Sequence, residues 1–108
     1  MSIKQVKTLV RSQADGHYAD TKHGITLSQA LVEPQPITVI VRIVRDGKIS
    51  DKHERAWLVG REPGPDGYQI VMQAEGHHFG LASLGFASDP HPVLVGWYGD
   101  LVTTFMAM

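Results

Sequence analysis

The chain has 108 residues, 43% hydrophobic and 19% charged, a balance that suits one folded domain with its own core and is not that of a disordered chain. It contains no cysteine, which excludes disulfides, thiolate zinc sites and iron–sulfur clusters and fits a reducing, cytoplasmic setting. The net charge of −1 speaks against strong nucleic-acid affinity for the chain as a whole. Charge is nevertheless segregated. Residues 1–61 hold all ten Lys and Arg with six acids (+4), and residues 62–108 hold five acids and no Lys or Arg (−5).

Ile3, Val6, Leu9 and Val10 recur at helical spacing, and Ser2 with Gln5 forms a capping box, so a helix is predicted from residue 3, fading near Ser12 to Ala14. A polar loop follows. Thr26 and Gln29 repeat the capping spacing, with Pro34 as the stop, which predicts a second short helix. Ile37 to Val44 is β-branched almost throughout and reads as a central strand. Asp46-Gly47 is the signal for a two-residue type I′ turn into a partner strand, interrupted around Ser50-Asp51-Lys52 and resuming from Arg55 to Arg61. Pro63 to Gly67 is turn chemistry, and Tyr68 to Gln73 a further strand. Gly76 to Pro92 reads as an apolar loop with a short strand over Phe79 to Ala82. Val93 to Tyr98 and Leu101 to Met106 flank Gly99-Asp100, the signature of a terminal hairpin. The expected fold is α+β: one or two short N-terminal helices packed on a mostly antiparallel, hairpin-connected sheet of five or six strands.

No motif names a reaction. Five of the six histidines fall near carboxylates in two places, His17, Asp20 and His23, then Glu75, His77, His78, Asp89 and His91. In an extended strand His77 and His78 point to opposite faces, and no spacing matches a two-histidine metal motif. Gly80 to Gly85 lacks both the G-x-S-x-G elbow and the Lys and Ser/Thr of a phosphate loop. Ser83, Asp89 and His91 supply the residue types of a hydrolase, as any chain of this size does. No cofactor, metal or catalytic residue is assigned. The longest apolar run is far too short to cross a bilayer, and the polar first eleven residues do not read as a signal peptide.

The remaining signal is an apolar excess near the C-terminus. Trp97, Tyr98, Leu101, Val102, Phe105 and Met106 on two strands would give both faces of a hairpin large side chains, more than a small sheet can hide. A non-catalytic, self-associating protein-interaction domain is therefore expected. Its surface comprises His77, His78, Phe79, His91, Trp97, Tyr98 and Phe105, and its partner is a second copy or another protein. The alternative is a nucleic-acid accessory protein using the basic hairpin from Arg42 to Arg61, where Arg55, Trp57 and Arg61 would share a face. A small hydrolase or metal-dependent enzyme using His77, His78 or His91 is the third reading.

Overall fold

The computed structural model describes residues 1–64, 67–76, 78–84 and 89–108. Helix α1 spans Ile3–Ala14. Its capping box is formed: Ser2 Oγ accepts from the Gln5 N–H (3.2 Å) and Gln5 Oε1 from the Ser2 N–H (2.8 Å). Val6, Val10 and Ala14, spaced by four, are buried, while Ile3 stays exposed. The polar loop after α1 contains a miniature hairpin, β1 (Thr21–Lys22) and β2 (Ile25–Thr26), whose turn residues His23 and Gly24 both have positive φ. The second capping box also forms, on a single helical turn, α2 (Leu27–Ala30).

The chain then enters β3 (Leu31–Arg45) without a loop. Pro34 lies inside this strand, at a register irregularity between Leu31 and Gln35. Proline has no N–H to give a ladder, so it sits where the ladder slips rather than at a helix end. Asp46 and Gly47 adopt φ of 50° and 72°, the type I′ geometry expected from their sequence. Strand β4 (Lys48–Arg61) is continuous through Ser50-Asp51-Lys52, contrary to the interruption expected there. Its pairing with β3 runs unbroken from Lys48 to Leu58 and holds the polar stretch extended.

Strands β5 (Gln69–Gln73), β6 (Phe79–Ser83) and β7 (Val93–Gly99) follow, each antiparallel to its predecessor. The sheet closes into a five-stranded barrel in the order β3-β4-β5-β6-β7. Each hairpin reverses direction, so the first and fifth strands run the same way, and closure is the parallel bridge Ile40↔Val93. The fold is thus α+β and mostly antiparallel as expected, but the main sheet is mixed and closed.

The segment Leu101 to Met106 is a helix, α3 (Leu101–Met106), and not the second strand of a terminal hairpin. Gly99 has the positive φ a turn requires, but Asp100 acts as a helix cap: its Oδ1 accepts from the Thr103 N–H at 2.7 Å. The helix is tied down at both ends. Gln13 Oε1 of α1 accepts from the Leu101 N–H (2.7 Å), and the Met108 carbonyl accepts from His23 Nε2 (2.8 Å).

Two cores result. Val39, Ala56, Leu58, Val71 and Ala82, with Leu94 and Trp97 against them, draw on all five barrel strands. The other core lies between the three helices and β4–β6, and includes Val6, Leu27, Ile70, Phe79 and Phe105. Alternate residues of β5 enter each core, which explains the continuous apolar run Ile70-Val71-Met72. No helix among the described residues is long and apolar enough to cross a membrane.

Candidate functional site

The β3–β4 hairpin is the feature that the two cores do not explain. Its strands have 15 and 14 residues, whereas β5 and β6 have five each. Strand β5 reaches up β4 only as far as Ala56↔Gln73, and β7 bridges β3 only at Ile40. Beyond those points the hairpin continues as a two-stranded arm, and every residue from 44 to 53 is exposed. Val44 and Ile49 form a cross-strand pair near the tip, 67% and 69% exposed.

The arm has a defined hydrogen-bonding edge. Arg45 and Lys48 close a two-residue loop, so this pair exchanges both backbone bonds and the pattern alternates from there. Ile49, Asp51, His53 and Arg55 therefore turn their N–H and C=O groups away from β3. The alternation is seen directly on β3, where Ile40, opposite His53, sends its N–H outward to the Pro92 carbonyl at 2.8 Å. Among the described residues no strand pairs with β4 over Lys48 to Arg55 on its outer side.

The base of the arm is braced by the segment leading into β7. Arg42 grips Asp51 with two bonds, Nε to Oδ1 and a terminal nitrogen to Oδ2, both 2.9 Å, and reaches Asp89 Oδ1 at 3.0 Å. His91 meets His53 edge to face with ring centroids 5.5 Å apart. The hydrogen bond to Asp51, then that to Asp89, holds the Arg42 guanidinium charged well beyond its ordinary range. The reciprocal bond from Arg42 holds the Asp51 carboxyl below the usual aspartate value. Asp100 is also lowered, chiefly by the Thr103 backbone N–H it caps. Toward the tip the charges are less matched. Lys52 reaches Glu54 at 3.5 Å, whereas Arg45, Lys48 and Arg55 have no ion pair among the described residues.

The residues expected to form an interaction surface do not gather on one face. His77 lies outside the described residues. His78 is exposed, and its carbonyl accepts from the Gln73 N–H at 3.0 Å. Phe79 and Phe105 are fully buried in the helix-side core, so neither offers a surface to a second chain. His91 braces the arm. Trp97 is half-buried against the barrel core and packs across Gly80, where a Cβ would stand 2.6 Å from Trp97 Cε3. Tyr98 is 38% exposed at one bulge of β7, and Val95 at the other. The excess of apolar side chains near the C-terminus is thus largely absorbed by α3, because a helix turns Leu101 and Phe105 to one side.

The other sequence candidates stay apart or are spent elsewhere. His17 Nδ1 bonds Asp20 Oδ2 at 2.9 Å, while His23 holds the C-terminal carbonyl. Asp89 and His91 both face the arm, and Ser83 sits on β6 opposite Val93. No group of three or more His, Asp or Glu side chains able to hold a metal occurs among the described residues. A depression of about 770 Å³ along α1 is lined by Met1, Ser2, Lys4, Gln5, Thr8, Leu9 and Ser12, and so offers no carboxylate or imidazole for acid–base work. The bulge at Val59 takes Arg61 out of the face shared by Arg55 and Trp57. Sequence reasoning saw the hairpin but missed that it outruns the barrel. No protein-family model matches the chain, and neither the curated proteins nor the solved structures give a match.

Proposed function

We propose that this chain is a non-catalytic protein-interaction domain that self-associates through the β3–β4 arm. What supports the reading is the run of exposed residues 44–53, a two-stranded ribbon with an apolar pair at the tip and an edge of β4 with which no strand among the described residues pairs. A ribbon of this length buries little within its own chain, so its ordering is repaid most fully by contact with another. The brace of Arg42, Asp51 and Asp89 sets the direction in which the ribbon leaves the barrel.

The test is light scattering across a concentration series, on the wild type and on a shortened arm in which residues 44–49 are replaced by Asn-Gly. That change leaves Ile43 and Ser50, already paired, as the closing pair of a new two-residue turn. The expected result is concentration-dependent association of the wild type and none for the short arm. A wild type that stays monomeric, or equal association of both, contradicts the reading.

Nucleic-acid binding is a second reading, favoured by one observation: among the described residues, Arg45, Lys48 and Arg55 have no ion pair beside the exposed Val44 and Ile49. Ribbons that enter a groove combine such cations with an apolar tip. Asp46, Asp51 and Glu54 on the same arm weigh against it. Salt-dependent binding to generic duplex DNA or single-stranded RNA supports this reading, and no binding at low ionic strength ends it.

A further inference from the structure

We infer that the arm's partner is a second copy of the same arm, joined edge to edge by antiparallel pairing of the two β4 strands about a two-fold axis at Asp51. This rests on the self-associating reading above and supplies its geometry.

Length comes first. Among the described residues, the outer edge of β4 is unpaired from Lys48 to Arg55 and ends where β5 begins, at Ala56↔Gln73. An antiparallel copy centred on Asp51 sets Ile49 opposite His53 and Lys48 opposite Glu54 of the second chain. The second chain's turn residue Gly47 then falls opposite Arg55, so the copy ends just short of β5. Moving the centre two residues toward the barrel, to His53, would drive the second arm's tip into β5. Moving it two residues toward the tip would leave His53 and Arg55 without partners. A one-residue shift toward the barrel, to Lys52, already sets Lys48 of the copy against Ala56, which β5 occupies, and a one-residue shift toward the tip, to Ser50, sets Lys48 against Lys52 of the copy, two like charges.

The hydrogen-bonding parity agrees. Ile49, Asp51 and His53 present their outward N–H and C=O groups, and in this register each meets another outward-facing residue. Asp51 pairs with its own symmetry mate, and Ile49 pairs with His53 twice. The intervening residues are non-hydrogen-bonded pairs, whose side chains approach most closely.

Charge supplies the third argument. Lys48 has no ion pair within its own chain among the described residues, and here it meets Glu54 of the copy, twice by symmetry. The two Asp51 carboxylates meet at the axis, but each arrives already gripped by its own Arg42. On the same face Ile49 extends the apolar pair it makes with Val44. Lysines on an exposed edge commonly deter pairing with foreign strands, and an edge that answers its own lysine admits one partner.

Because the chain has no cysteine, single cysteines read the register directly. Lys48→Cys and Glu54→Cys proteins are prepared separately, then oxidised alone and mixed. The expected result is a disulfide-linked heterodimer in the mixture and little cross-linking of either protein alone, since each position faces the other across the axis. A second variant, Ile49→Pro, removes an outward N–H without touching the bonds to β3 and is expected to weaken the dimer roughly tenfold or more. A dimer that shows no mixed cross-link and ignores Ile49→Pro overturns the edge pairing and leaves self-association to another part of the arm. Cross-linking no greater in the mixture than in the separate samples overturns the register. A wild-type protein monomeric at every concentration overturns both the pairing and the self-associating reading.

Discussion

Strand β4 lives in two environments along its 14 residues. From Ala56 to Gly60 it is flanked by β3 and β5 and packs on two cores, whereas from Lys48 to His53 it is exposed and, among the described residues, pairs with no strand but β3. The same hydrogen-bond pattern runs through both halves, so what differs is what covers them. The barrel half holds the fold. The arm half is exposed and is held to the barrel through Arg42 and the segment before β7.

The sharpest way to break that division is to injure each half and compare. Phe79→Ala or Phe105→Ala removes a fully buried ring from the helix-side core and is expected to cost about 3–5 kcal/mol in denaturant unfolding, enough to threaten a domain of this size. Gly80→Ala is expected to cost about 1–3 kcal/mol, because the new methyl collides with the Gly96 carbonyl and the Trp97 ring. Arg42→Met releases Asp51 and Asp89 together. It should destabilise less than either core change, and show instead as faster amide exchange at Ile40, whose N–H is bonded to Pro92. At the small end, Val44→Thr and Ile49→Thr are expected to stay within about 0.5 kcal/mol of the wild type while reducing association. A large stability loss from either would remove the division between the halves.

The brace gives a pH prediction. Arg42 lowers the Asp51 carboxyl in the folded state, so its contribution to stability is present above the ordinary aspartate value of about 3.9 and is lost as pH falls through the lower folded value. A carboxyl titration followed by NMR should place the Asp51 midpoint below that ordinary value in the wild type, and return it upward in Arg42→Met. An Asp51 midpoint unchanged by that substitution would show that the guanidinium does not hold it.

Local chemistry was legible in the sequence and long-range closure was not. The capping residues Ser2, Gln5, Thr26 and Gln29 and the Asp46-Gly47 turn act over two to four residues, and each is found as read. Gly99-Asp100 misled because a glycine with positive φ followed by aspartate suits both a hairpin turn and a helix cap. The choice went to the helix, where Leu101 and Phe105 bury together against α1 and the barrel. Ser50-Asp51-Lys52 looked like a break because nothing local marks it as strand. Its extension comes from β3, through pairs such as Arg42↔Asp51. Barrel closure depends on Ile40 meeting Val93, and the brace on Arg42 meeting Asp89, contacts between residues far apart in the chain for which no short motif exists. Of the surface first expected, Phe79 and Phe105 were absorbed into a core, and the arm we propose in its place was visible only as a basic hairpin whose length relative to its neighbours was unknown.

Amide hydrogen exchange along β4 at low and high protein concentration tests the assignment of the arm most directly. Protection should rise with concentration at Ile49, Asp51 and His53, which face outward, and change little at Ser50 and Lys52, which already bond β3. Exchange at those three amides that is fast and independent of concentration would contradict it.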